Sequence, residues 1–138
     1  TEDLSGVDFY NYLGGEIAEA AQQNPSYFVN TCAARLSYAM NSAGFKIPFI
    51  KGQTMCGRDG KNYFLRAADM RKYFIKLWGS PRIVRLPYLI MKNGIVFQNG
   101  LKDVTGHVDV FYNEVSGGAA YTYYNYPNTI TEAWKYGR

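Results

Sequence analysis

The chain has 138 residues, of which 47% are hydrophobic and 19% charged, with a formal net charge of +4. That length fits one domain, residues 1–138, able to bury a sizeable core without disulfide staples. The composition is that of a soluble globular protein: no apolar run reaches the roughly 18 residues of a membrane span, and the scattered basic residues form no nucleic-acid signature.

The first residues, Thr1-Glu2-Asp3-Leu4, carry neither an initiator Met nor the basic region of a signal peptide, which fits a trimmed or processed N-terminus. From Val7 to Gln23, the residues Phe9, Leu13, Ile17, Ala20 and Ala21 recur at helical spacing. Gly14-Gly15 interrupts the pattern, so a helix or a pair of short helices is predicted. Asn24-Pro25-Ser26 ends it, and Tyr27-Phe28-Val29 is an apolar approach to the next helix.

That helix opens at Cys32, because Asn30 and Thr31 can both cap it. Leu36, Ala39, Met40 and Ala43 continue it at helical spacing, and Gly44 followed by Pro48 supplies a stop. Cys32, Leu36, Ala39 and Ala43 then share one face, with the thiol on its buried edge. Between Phe45 and Gly60 the Gly, Pro and polar residues predict an ordered loop with a short strand at Ile47 to Ile50. Met55-Cys56-Gly57-Arg58-Asp59-Gly60 reads as a turn. Two cysteines are too few for a secreted disulfide framework, and no Cys/His cluster completes a zinc site, so neither metal nor cofactor is expected.

Lys61 to Arg66 predicts a short strand, and about Ala67 to Trp78 a helix with Met70, Phe74 and Leu77 on one side, stopped by Gly79-Ser80-Pro81. After Pro81 the pattern turns to strands: Gly94-Ile95-Val96-Phe97 behind the turn dipeptide Lys92-Asn93, then Gly106 to Tyr112, then Ala119 to Tyr124 behind Gly117-Gly118. Helices first and an antiparallel sheet second make an α+β fold, with N-terminal helices packed on the sheet.

The chemistry-bearing residues fall on both parts. Cys32 opens a helix, whose positive end stabilises a thiolate, the reactive form of cysteine. His107, the only histidine, lies on a strand and can serve as its base. Strand alternation puts Asp109 on the same face as His107, where it can orient the ring and stabilise the imidazolium; Thr122 or Asn125 on the following strand could do so instead. The competing reading makes Cys32 a buried structural thiol, His107 a satisfied strand residue and Asp109 a solvated one. If Cys32 is a nucleophile, Cys56 should be a thiol outside any disulfide.

The segment Asn30 to Gly44 resembles the nucleophile helix of the amidase effectors of the type VI secretion system, in particular their fourth family. Gly57-Arg58-Asp59-Gly60-Lys61-Asn62-Tyr63, the helix Ala67 to Phe74, the strand Lys92 to Phe97 and Thr105 to Phe111 follow in that family's order. The resemblance runs from about Tyr27 to about Asn113. It implies a papain-like, NlpC-type fold and a peptidoglycan endopeptidase that cuts the stem peptide between D-glutamate and meso-diaminopimelate. It further implies a cognate immunity protein, a secretion machine that carries the protein from the producer's cytoplasm into a target's periplasm, and interbacterial competition as the setting. Carried over, Cys32 matches the nucleophile, His107 the base and Asp109 an aspartate two residues beyond it. The sequence departs from the family pattern at Phe111-Tyr112, where Leu-Trp is commoner, and in lacking, from Glu114 to Tyr124, the cysteine pair and the acidic residue that some members carry after the histidine strand, which leaves the third residue open.

In this scheme Cys32 attacks an amide carbonyl, His107 carries the proton to the leaving amine, and water resolves the acyl-enzyme. The backbone N–H of Cys32 is placed to help stabilise the oxyanion. Three rival readings stand beside it. A transglutaminase-like or acyltransferase protein would keep the thiol and the imidazole. A tyrosine-rich envelope-binding module would need neither. A nuclease-type toxin is poorly served by one histidine and no metal cluster.

Overall fold

Gly14 and Gly15 cut the N-terminal helical pattern in two, giving α1 (Gly6–Leu13) and α2 (Gly15–Gln23). Both glycines hold positive φ, 70° and 63°, a region open to glycine at little steric strain. The break is also a docking notch. The Leu13 carbonyl at the end of α1 accepts a hydrogen bond from the Arg58 N–H at 2.8 Å. A Cβ on Gly15 would stand 2.5 Å from the Gly57 carbonyl carbon.

The structure, a computed structural model, describes Leu4 and residues 6–84, 94–99, 107–112, 115–116 and 130–135. It divides into two compact units, Thr1–Arg66 and Ala67–Arg138. In the first, a 3-10 turn (Pro25–Phe28) follows α2, α3 spans Cys32–Ser42, and β1 (Thr54–Cys56) pairs antiparallel with β2 (Asn62–Phe64). Phe9, Tyr10, Leu13, Ile17, Ala21, Phe28, Ala34 and Tyr63 form its core, with Tyr10 edge-on to Phe28 at 5.0 Å.

Three details of this unit differ from the sequence reading. The buried residues of α3 are Ala33, Ala34, Leu36, Ser37, Met40 and Asn41, while Ala39 and Ala43 are exposed. The face is turned because two of its polar residues are bonded inside the unit. Ser37 Oγ donates to the Ala33 carbonyl at 2.8 Å and accepts from the Phe64 N–H at 2.9 Å; Asn41 Nδ2 donates to the Asn62 carbonyl at 2.9 Å. Residues 47–50 form no strand. Met55 and Cys56 belong to β1, so the turn begins only after them.

Ser37 gives a direct test of this packing. Ser37→Ala strips the acceptor from a buried N–H, and stability should fall by about 1–3 kcal/mol in urea unfolding.

The second unit holds α4 (Ala67–Trp78) and an antiparallel sheet of β3 (Arg82–Val84), β4 (Gly94–Asn99), β5 (His107–Tyr112), β6 (Val115–Ser116) and β7 (Ile130–Lys135) in the order β3-β7-β4-β5-β6. The helix, its boundaries and its stop match the sequence reading, with Gly79 at φ 82° donating to the Ile75 carbonyl. Its inner face is Ala67, Asp69, Met70 and Phe74. Leu77, expected on that face, is exposed, because Phe74 and Trp78 stack at 4.8 Å and Phe74 meets the Trp134 ring edge-on at 5.5 Å. Trp134 Nε1 donates to the Gly79 carbonyl at 2.9 Å, and Arg71 makes a two-pronged bond to Glu132 at 2.6 and 2.9 Å. Helix and sheet are thereby tied at the second turn of α4 and just beyond its C-terminus.

Helices followed by an antiparallel sheet confirm the α+β expectation. The strand expected over Ala119 to Tyr124, the Lys92-Asn93 turn, and Thr122 and Asn125 lie outside the described residues. Among those described, no helix is long and apolar enough to cross a membrane.

Candidate functional site

Cys32 is the first residue of α3 and is partly exposed. The capping expected of Asn30 and Thr31 is divided between them. Thr31 occupies the cap position without a side-chain bond to a backbone N–H of the helix; its Oγ1 instead accepts from Arg35 Nε at 2.7 Å. Asn30 Oδ1 accepts from the Cys32 N–H at 3.1 Å. The N–H expected to serve an oxyanion is therefore held by a neighbouring amide, which an incoming oxyanion must displace.

The approach to Cys32 is braced from the core. Buried Tyr10 donates its hydroxyl to the Asn30 carbonyl at 3.0 Å. Arg35 lies over the Phe9 ring at 4.4 Å and reaches the Leu4 carbonyl. α1 and the first turn of α3 thus fix the backbone carrying the thiol, while the thiol itself keeps access to solvent.

Burial raises the Tyr10 hydroxyl well above the ordinary tyrosine range, as does the nearby negative charge of a Cys32 thiolate, with Arg35 opposing. Tyr63 is raised too, first by burial and then by its 2.6 Å bond to Asp59. Both groups keep their protons in the folded state at pH values where the unfolded chain has lost them. Their contribution is therefore complete below the unfolded value of about 10 and is lost as pH rises beyond it. Urea unfolding between pH 8 and 11 should show stability falling above about pH 10, with a shallower fall in Tyr63→Phe.

Cys56 ends β1, where its Sγ donates to Glu16 Oε2 at 3.5 Å. Both cysteines are thiols rather than halves of a disulfide, as a nucleophilic Cys32 requires. An open cleft of about 320 Å³ is lined in part by Asn41, Lys46, Lys61 and Asn62. It lies toward the C-terminal end of α3, roughly three helical turns from Cys32, and is separate from the thiol.

His107 and Asp109 lie on β5, and the register sets them opposite Gln98 and Val96 of β4. Val108 between them is buried, as are Val96 and Gln98. The sequence reading missed Gln98, although a polar residue ending the apolar run Ile95-Val96-Phe97 was a visible signal. It also missed Tyr10, which bonds Asn30 across 20 positions, and Arg35, which lies over Phe9 of α1. Among the described residues no group of three or more His, Cys, Asp or Glu side chains could hold a metal ion.

Comparison with known proteins gives two concordant findings. The family model for type VI secretion system (T6SS) amidase effector protein 4, Tae4, matches residues 28–134, a span that includes Cys32, His107 and Asp109. Among solved structures, the chain is similar to the effector Tae4 from Salmonella typhimurium in complex with the immunity protein Tai4 from Enterobacter cloacae. Identity there is 26%, coverage 98% of this chain and 91% of that one, and the TM-score 0.74. The Tae4/Tai4 effector–immunity system from Salmonella typhimurium matches at 25% identity over 97% of this chain and 90% of that one, with a TM-score of 0.75. Tae4 from Enterobacter cloacae, at 24% identity, 98% and 89% coverage and a TM-score of 0.75, shares the fold. No curated protein matches.

Proposed function

This chain belongs to the Tae4 family of type VI secretion amidase effectors, and on that premise we propose a thiol mechanism in which Cys32 is the nucleophile and His107 the base. The protein is a peptidoglycan amidase toxin of interbacterial competition, and its protein partner is an immunity protein. The observation that carries the mechanism is the setting of Cys32. It opens α3, it is partly exposed, and Tyr10, Asn30 and Arg35 hold the backbone around it.

The Cys32 thiolate adds to the amide carbonyl carbon, forming the C–S bond and an oxyanion. Collapse of this adduct breaks the C–N bond as His107 passes a proton to the departing amine. Water, giving its proton to His107, then attacks the thioester, releasing the carboxylate and restoring the thiol. The Cys32 N–H stabilises the oxyanion once the Asn30 amide swings aside, which its exposed position permits. Asp109 stabilises the imidazolium from two residues along β5.

The bond cut is the one between D-glutamate and meso-diaminopimelate, and the protein, made in the producer's cytoplasm, acts in the target's periplasm. Digestion of Gram-negative sacculi, with the fragments read by mass spectrometry, tests this reading. A new free amine on diaminopimelate paired with a D-glutamate carboxylate supports it; cleavage elsewhere corrects the bond. Transfer of the acyl group to an added amine, without hydrolysis, would replace amidase by transferase.

A further inference from the structure

The four residues from Tyr27 to Asn30 alternate between outside and inside. Tyr27 is 85% exposed and Val29 70%, whereas Phe28 between them is 7% exposed. The cause is buried Tyr10 of α1, which meets the Phe28 ring edge-on at 5.0 Å and donates its hydroxyl to the Asn30 carbonyl at 3.0 Å. With positions 28 and 30 gripped from within, 27 and 29 are turned outward. The Tyr27 backbone is also fixed, its N–H donating to the Asn24 carbonyl at 3.0 Å.

Among the described residues the Tyr27 ring and hydroxyl have no ring contact, hydrogen bond or ion pair. Tyr12, also exposed, differs in that it is paired with Tyr38. A tyrosine on a fixed backbone offers apolar area with only two side-chain torsions to immobilise, so a ligand orders it at low entropic cost.

This ring stands close in the chain to the nucleophile. Tyr27 precedes Cys32 by five residues, a stretch that reaches about 17 Å when fully extended. It is not extended here: Val29 is helical at φ −76°, ψ −45°, and Thr31 bends at φ −108°, ψ 4°. The separation is therefore shorter. In peptidoglycan, D-glutamate, L-alanine and a lactyl group join the D-glutamyl carbonyl to the muramyl sugar, roughly 10 Å of chain at about 3.5 Å per unit. A stem peptide with that carbonyl at Cys32 can thus bring its own sugar to Tyr27. One face of a pyranose presents C–H groups, whose positive polarisation suits the negative face of an aromatic ring.

We propose that Tyr27, with Val29 as additional apolar surface, forms a glycan subsite: the ring stacks on the amino sugar that bears the stem peptide. The enzyme then favours stems still attached to glycan over free peptides. The assignment rests on the stem-peptide amidase reading and concerns the form of the substrate rather than the bond cut.

The test compares two soluble substrates, a disaccharide carrying the stem peptide and the same peptide without sugar, by the ratio of their kcat/KM values. In Tyr27→Ser that ratio should fall about three- to tenfold, the worth of one aromatic contact. The fall should lie in KM, because the stack is present in ground and transition states alike. Tyr27→Trp should hold the ratio, and Phe49→Ser, at another exposed aromatic, should leave it at the parent value. Folding does not depend on the Tyr27 ring, so the thermal midpoint should stay within a few degrees of the parent. An unchanged ratio in Tyr27→Ser overturns the glycan subsite, and weaker binding of the immunity protein by that variant would then assign the ring to the partner. An equal fall in Phe49→Ser overturns it as well, since any surface aromatic would then serve. A parent protein that cleaves neither substrate overturns the reading beneath it.

Discussion

Cys32→Ala should leave sacculi undigested, with release of stem-peptide fragments lowered by about 10³-fold or more. Removing the nucleophile of an acyl-transfer site abolishes the covalent route and leaves only residual binding and polarisation. The fold should survive, because the thiol is small and partly exposed, and such substitutions change stability by less than about 1 kcal/mol. A thermal midpoint within a few degrees of the parent would separate lost chemistry from lost structure. Cys56→Ala is the matched control. It removes one 3.5 Å sulfur–carboxylate contact at the end of β1 and should leave digestion intact. If Cys32→Ala still releases fragments, the thiol mechanism fails and the amidase must use another group.

The largest effect on stability is expected at Gly15→Ala. The substitution puts a side chain at φ 63° and a Cβ 2.5 Å from the Gly57 carbonyl carbon, 2.8 Å from its oxygen and 2.9 Å from the Arg58 nitrogen. All three contacts are backbone, so no rotamer relieves them. Strain in the left-handed region contributes about 1–3 kcal/mol, and forced separation of packed segments a similar amount. Unfolding by urea should therefore show a loss of about 3 kcal/mol or more. Gly52→Ala, at a positive φ with no neighbour within 4 Å, isolates the conformational part and should lose only about 1 kcal/mol. Equal losses at the two sites would show that the turn after β1 does not close on the α1–α2 junction as described.

The helices were the most legible part of the fold. The α1–α2 break follows from two adjacent glycines, α3 from a capping pair ahead of helical spacing, and α4 from a pattern closed by Gly79. Short strands were harder to read. Ile47 to Ile50 offered apolar residues but found no partner strand, whereas Thr54–Cys56 became β1 through pairing with Asn62–Phe64. A three-residue strand has little pattern of its own, and what makes it a strand is the chain opposite it.

The same distinction holds at the site. Cys32 stood out as a thiol at a helix start, and His107 as the only imidazole, because residue type and local spacing alone carry those signals. Asp109 came from alternation along one strand. The support around them was not readable in this way: Tyr10 reaches Asn30 across 20 positions, and Ser37 bonds Phe64 across 27. Gln98 comes to lie opposite His107 only through the strand register.

Residue chemistry and local periodicity were thus enough to name the α+β class and the family resemblance, and to single out Cys32, His107 and Asp109 as candidates, since each depends on neighbours along the chain. Which face of α3 is buried, which hydroxyl braces the Asn30 carbonyl and which polar residue lies across from His107 depended on tertiary structure. Those features arise when distant segments bring unsatisfied backbone and side-chain polar groups together, and burying such groups is favourable only where a partner meets them.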